Sequence, residues 1–268
     1  MHLYYDLVRA MGINPITGPF VGDQAPGCNG TRTTAEDPQD ADGGYDVLMT
    51  GYGPEERAEI IDRGIASLLK RGFGRPTAFC AGYSAADPAL QSLLAKRGMR
   101  VSFAAQALGP NDYPRCWYQL LEWYGHITPL TLPYRVSRHV ILPPPHPEGG
   151  HLELVEVPLN LAVDANALYL GARIVAREEI FDAHCRWAQE EGQETCLAIG
   201  VHTEVIARDR WPDGRVAQVL DRFLRHVADQ EEVEINYGTV TAVAGHFWEN
   251  KTLAGVRGPI LPVELSGE

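Results

Sequence analysis

Apolar and polar positions along the chain follow two alternating rhythms, a helical period and short apolar runs of strand length. Gly53-Pro54-Glu55-Glu56 predicts a helix start, because proline suits the first helical position and acids suit the positive end of the helix dipole. Ile60, Ile61, Ile65, Leu68 and Leu69 then form one apolar face, Lys70 and Arg71 fall in the last turn, and Gly72 ends it. PTAFCAGY (76–83) reads as a short buried strand. Asp87-Pro88 caps a second helix with Leu90, Leu93 and Leu94 inside and Gly98 as its stop. MRVSFAAQ (99–106) is the next strand. Strand, helix and strand thus follow one another within about 30 residues, the spacing of a parallel βαβ unit.

The rhythm returns late in the chain. LELVEVPLN (152–160) reads as a strand, a helix is predicted over about 178–191, and TCLAIGVHTEV (195–205) reads as a strong strand. A further helix runs from near Asp213 to 229, with Val216, Val219, Leu220, Phe223, Leu224 and Val227 on one face. VEINYG (233–238) is strand-like, and Thr239 can cap a last helix to about 248. Repeated β/α units over this length favour a (β/α) barrel over an open sheet. Neither Gly-x-Gly-x-x-Gly nor a P-loop pattern follows any predicted strand, which disfavours nucleotide and dinucleotide binding.

Two stretches break the rhythm. Residues 22–47 are rich in Gly, Pro, Thr and Asp and carry Glu36, Asp37, Asp40, Asp42 and Asp46 without regular metal-ligand spacing, so they read as a solvated acidic loop, with a metal-binding loop as the alternative. Residues 110–150 hold eight prolines with Tyr113, Trp117, Tyr118, Trp123, Tyr124 and Tyr134. A long structureless stretch of this composition predicts a lid over a ligand, an assembly element or ordinary packing. The chain reads as a single domain, 1–268, with 110–150 as its insertion.

Composition narrows the partners. A net charge of −12 with no dense basic stripe argues against nucleic acid. The five cysteines, Cys28, Cys80, Cys116, Cys185 and Cys196, show no CxxC spacing and read as reduced thiols. The first residues, MHLYYDLVRAMG, lack a secretory pattern, and no apolar run approaches membrane-span length. The expectation is a cytoplasmic protein with a small-molecule substrate and no membrane.

GRPTAFCAGYSAADPALQSLLAKRGMRVSFAA (74–105) resembles the central segment of polysaccharide deacetylases of the NodB-homology class, in which a Pro-x-x-Phe-Arg-x-Gly strand end leads into a helix and a Gly-x-Arg strand. LVEVPLN (154–160) is similar to that family's strand before the long return. IGVHTEV (199–205), VLDRFLRHV (219–227) and VEINYGTVTAVAGHF (233–247) resemble its closing histidine motif and last strand–helix pair, and YYDLVRAMGINPITGPFVG (4–22) its first helix and second strand. The resemblance implies a deformed (β/α) barrel, with an active site at the carboxyl ends of the strands. It also implies a divalent metal that activates water against an N-acetyl group, an Asp base and a late His acid. The late His carries over onto His202. The family's His-x-x-x-His metal pair falls near residues 25–50, where this sequence has no histidine, and its motif Arg is Cys80 here. No metal ligand is assigned.

His202 closes a predicted strand, where barrel enzymes place working residues, and imidazole exchanges protons near neutral pH; the alternative is a structural histidine bonded to a backbone carbonyl. Glu204, two positions on, shares its face and could orient it or act with it. Asp23 follows the predicted second strand and reads as the candidate base, as a stray metal ligand, or as a plain turn residue. Asn160 and Asp164 follow another strand end and are expected either to contact a polar substrate or to cap a turn. Cys80 reads as a substrate neighbour, as a thiol activated by His202, or as a small buried side chain. Trp117 and Trp123 are expected to stack on the substrate from the insertion. His184 reads as structural.

These residues fit a deacetylase-like hydrolase of a C–N bond in a small polar, sugar-derived metabolite, with His202 as general acid. The alternatives are a metal-free acid/base lyase, isomerase or cyclase on the same barrel, and a non-catalytic binding relative. The family's first strand, with its Asp-Asp pair, has no counterpart in these residues, and an incomplete barrel would leave strand edges open, which a homodimer would cover.

Overall fold

The computed structural model describes residues 49–80, 86–107, 126–143, 150–162, 177–201 and 212–249. They form a mixed α/β fold with five helices: α1 (Pro54–Lys70), α2 (Pro88–Lys96), α3 (Arg177–Glu191), α4 (Arg215–Ala228) and α5 (Val240–Glu249). The strands are β1 (Ala78–Phe79), β2 (Val101–Ser102), β3 (Tyr134–Ser137), β4 (His151–Glu156), β5 (Leu161–Ala162) and β6 (Ile199–Gly200). A short 3₁₀ turn, Met49–Gly51, precedes α1.

Local chemistry explains the helix limits. The Glu56 carboxylate accepts the Gly53 N–H at 3.0 Å, capping α1 from within its first turn. At its far end the Phe73 N–H returns to the Leu68 carbonyl, with Gly72 at φ 84°. The same closure ends α2, where Met99 N–H reaches Leu94 O and Gly98 sits at φ 82°. That left-handed conformation costs glycine nothing and most residues about 1 kcal/mol or more, so both stop signals have a steric cause. Asp87 caps α2 by accepting the Leu90 N–H at 2.7 Å. Thr239 Oγ1 accepts the Ala242 N–H at the start of α5.

Sheet order is β1-β2-β4-β3, with β1, β2 and β4 parallel and β3 antiparallel to β4. A parallel bridge from Gln106 to Leu159 continues the layer beyond β4, and β5 then pairs in parallel with β6. On one face Leu152 and Leu154 of β4 join Val136 of β3 against Ile60, Ile61 and Ile65 of α1 and Leu90 and Leu94 of α2. The alternate residues, Val101, Val155 and Val157, pack with Cys196 against Ala244 and Phe247 of α5 on the other face. The middle of the sheet, at β2 and β4, is therefore covered by helices on both sides, as strands apolar on both faces require. A further cluster joins Leu161 to Ile180, Phe181 and Cys185 of α3 and to Phe223 and Val227 of α4.

Several expectations change. Tyr134–Ser137 lies inside the stretch expected to be structureless, yet it is a sheet strand; its antiparallel pairing with β4 supplies order that proline content conceals. The Tyr134 ring is buried in the core, and its hydroxyl donates to Ile141 O at 2.7 Å. Residues 233–238 have no strand partner among the described residues. Their alternation reflects Val233 and Ile235 resting on the α3–α4 cluster, while Tyr237 is exposed. Leu69 and Leu224, expected on buried faces, are each 45% exposed. Leu69 falls in the last turn of α1, beyond its last buried residue, Ile65.

Candidate functional site

Strand direction sets the geometry. β1, β2 and β4 run the same way, the Gln106–Leu159 bridge keeps that direction, and β5 and β6 share it. Their carboxyl ends therefore lie along one edge of the parallel layer, at Cys80, Gln106–Ala107, Ala162 and Val201. In α/β proteins that edge is where ligands bind, because loops leave it while the strands hold their roots fixed.

Cys80 stands at this edge and is exposed. The surrounding protein desolvates its thiolate and the Glu156 carboxylate repels it, so its pKa is raised. A nucleophilic thiol needs the opposite shift, and the described surroundings do not activate this one. Cys185 and Cys196 are buried, and burial pushes the Cys196 thiol up to about 12.

Asn160 is buried, with both ends of its side chain engaged by backbone. Its Nδ2 donates to Thr131 O at 3.0 Å, and its Oδ1 accepts the Ala198 N–H at 2.8 Å. It ties the strand before β5 to the one entering β6 and to the turn at 128–131. His202, Glu204, Asp164, Asp23, Trp117 and Trp123 lie outside the described residues, as does the acidic stretch 22–47. By sequence, His202 follows directly on Val201 at the end of β6, and Asp164 comes two residues after β5.

His184 sits on α3, away from that edge, and is 2% exposed. Its Nε2 lies 2.8 Å from Pro129 O, which can only accept, so Nε2 carries the proton and Nδ1 accepts from Thr195 Oγ1 at 2.6 Å. Burial holds its pKa down to about 4, against an opposing contribution from the Pro129 carbonyl. The unfolded chain then takes up a proton first as pH falls. The stability that neutral His184 supplies is complete above pH 6.5 and is lost as pH drops toward 4, by about 3 kcal/mol. In urea unfolding of the wild type and His184→Gln, the stability gap should narrow by about that much between pH 7 and pH 4. A gap independent of pH would show that the ring charges without cost.

Sequence reasoning missed Glu156. It is fully buried, and its Oε1 accepts the N–H groups of Ala104 and Ala105 at 2.6 and 2.7 Å. Oε2 accepts from Gln91 Nε2 at 3.2 Å, and the Ser102 hydroxyl also bonds the carboxylate. Burial raises its pKa, while these donors oppose the rise. The available signal was an acid in phase with Leu152 and Leu154 on the core-facing side of its strand, with Gln91 facing it between Leu90 and Leu94.

No family model matches the chain. No curated protein is detectably similar to it in sequence. Among solved structures, the chain is similar to a Mycobacterium smegmatis protein named "putative polysaccharide deacetylase", at 17% identity and a TM-score of 0.47. The match covers 81% of this chain, which spans 64% of the length of that protein. At this level the likeness assigns neither family nor activity.

Among the described residues no group of three His, Cys, Asp or Glu gathers in a way that could hold a metal ion. Nor is there, among them, a helix long and apolar enough to cross a membrane.

Proposed function

We propose that this protein is a deacetylase-like hydrolase that cleaves the C–N bond of an N-acetyl group on a small polar, sugar-derived metabolite. The observation that carries the reading is the common direction of β1, β2, β4, β5 and β6, which aligns their carboxyl ends along one edge. Cys80, Asp164 and His202 each belong to a strand end or to the segment leaving one. The reaction class comes from the sequence resemblance, and so does the finer architecture, a deformed barrel. With α5 packed on the face opposite α1 and α2, that barrel would be an opened one.

In the proposed reaction, Asp23 or Glu204 takes a proton from water as the water oxygen attacks the acetyl carbonyl carbon. His202 then donates a proton to the departing nitrogen as the C–N bond breaks, giving acetate and a free amine.

The test is incubation of the protein with N-acetylglucosamine and its short oligomers in ¹⁸O-labelled water. Hydrolysis places one label in released acetate. A product formed without label would point to elimination, isomerisation or cyclisation, and complete inertness toward the panel would remove the reading.

A further inference from the structure

The strand pairing contains an irregularity at Glu156. Ser102 pairs with Glu156 and Gln106 with Leu159, so the β2 strand advances four residues while the β4 strand advances three. One extra residue on the β2 side makes a bulge, and a bulge turns backbone groups out of the ladder. Around it the ladder is intact: Val157 N–H donates to Ser102 O, Leu159 N–H to Ala105 O, and Ala107 N–H to Leu159 O. The amides turned aside are those of Ala104 and Ala105, and both point at one carboxylate oxygen of Glu156.

We propose that Glu156 is a positioning residue for the strand-end site: its buried carboxylate closes the bulge after β2 and so fixes the register in which the segment beyond β2 meets Leu159, on the stretch that leads from β4 into β5. The positioning role rests on the function proposed above; the closure of the bulge does not.

A buried carboxylate is expensive, and an apolar residue of similar volume is often better tolerated at such a position. Here it does what an apolar residue cannot. Two buried amides without ladder partners require an acceptor, and a single oxygen serves both. Gln91 and Ser102, themselves joined at 3.0 Å, hold the other side of the carboxyl group. The consequence travels outward. Ala105 and Ala107 bracket Leu159, the next residue Asn160 holds Ala198 through its backbone and its side chain, and β6 follows at Ile199. The geometry of one carboxylate is thus passed through backbone hydrogen bonds to the strand that ends beside His202 in sequence. The titratable groups that feel this charge are Cys80 at the end of β1 and Tyr134 on β3.

Residue-resolved amide exchange on the whole protein tests the proposal. In Glu156→Ala, Ala104 and Ala105 should exchange about tenfold faster or more, while Leu152–Val155 keep their protection. Glu156→Gln should restore that protection, because its carbonyl oxygen accepts both amides once the Gln91 amide flips to face it. Gln91 Oε1, which has no hydrogen-bond partner in the present arrangement, then gains one. Unaltered exchange at both amides in Glu156→Ala would overturn the closure. If that variant does not fold, the wild type alone decides: the Ala104 and Ala105 amide proton shifts should move together with the Glu156 carboxyl as pH falls, and flat shifts would overturn it. The positioning role adds a kinetic readout on the N-acetyl substrate: kcat falls in Glu156→Ala with KM little changed, and Glu156→Gln recovers it. Normal kcat alongside fast bulge exchange would sink that role. A protein inert to the whole panel, with the exchange pattern as expected, would sink the proposed function and leave the closure standing.

Discussion

Replacing His202 with alanine should lower turnover of an N-acetylated substrate by about 100-fold to 10,000-fold, the range over which a positioned proton donor acts. Amine nitrogen is a poor leaving group unless it is protonated as the bond breaks, so losing the donor acts on the chemical step. KM should therefore change little while kcat collapses. The melting temperature should stay within a few degrees, because the role proposed for His202 is proton transfer and not packing. A His202→Gln variant separates proton transfer from simple hydrogen bonding: it offers a donor but cannot exchange a proton near neutral pH. Turnover unaltered in either variant would remove His202 from the reaction.

The largest stability effect is expected at Arg57. Its Nη1 reaches both carboxylate oxygens of Asp87, at 2.9 and 2.7 Å, its Nε donates to Tyr52 O at 2.8 Å, and its Nη2 donates to Thr50 O. The guanidinium is largely buried, with a side-chain exposure of 10%, while Asp87 keeps 28%. Arg57→Ala strands two carbonyls and one carboxylate at once. Breaking a buried pair from one side costs about 3–5 kcal/mol; the partial exposure of Asp87 places the expectation near the lower end, about 3 kcal/mol. Asp87→Asn should cost less, because the amide oxygen can still cap α2 at Leu90. Urea midpoints for both single variants and the double variant give the coupling directly. A loss below about 1 kcal/mol for Arg57→Ala would mean that water replaces the arginine without penalty.

Helices were legible in the sequence because their signals are local. Asp87-Pro88, Gly72, Gly98 and Thr239 each act within a turn of the chain, and each marks a helix end in the structure. Strands were legible as places at 76–83, 99–106, 152–160 and 195–205 but not at 233–238, and nowhere as extents. A run such as PTAFCAGY says that its residues are buried, yet pairing limits β1 to Ala78–Phe79. The β3 strand was invisible because its partner lies beyond a Pro-rich stretch, and no local rule forecasts that long-range contact. The strand-end edge was legible through the βαβ spacing. What escaped was the pairing irregularity and the carboxylate that answers it, since a bulge is a property of two strands and is written in neither alone.

The order of pairing has a consequence for synthesis. β4 is an interior strand of the sheet, yet it is made after β1, β2 and β3, and nearly 50 residues separate it from β2. While the chain is being made, β2 offers an open hydrogen-bonding edge until residues 151–156 have emerged. Local contacts can form α1 and α2 early, but the layer closes only when a distant segment arrives, and such closure is slow. The nascent protein is therefore most exposed to mispairing and to capture by other chains during the interval between these two strands, and a chaperone would have the most to do there.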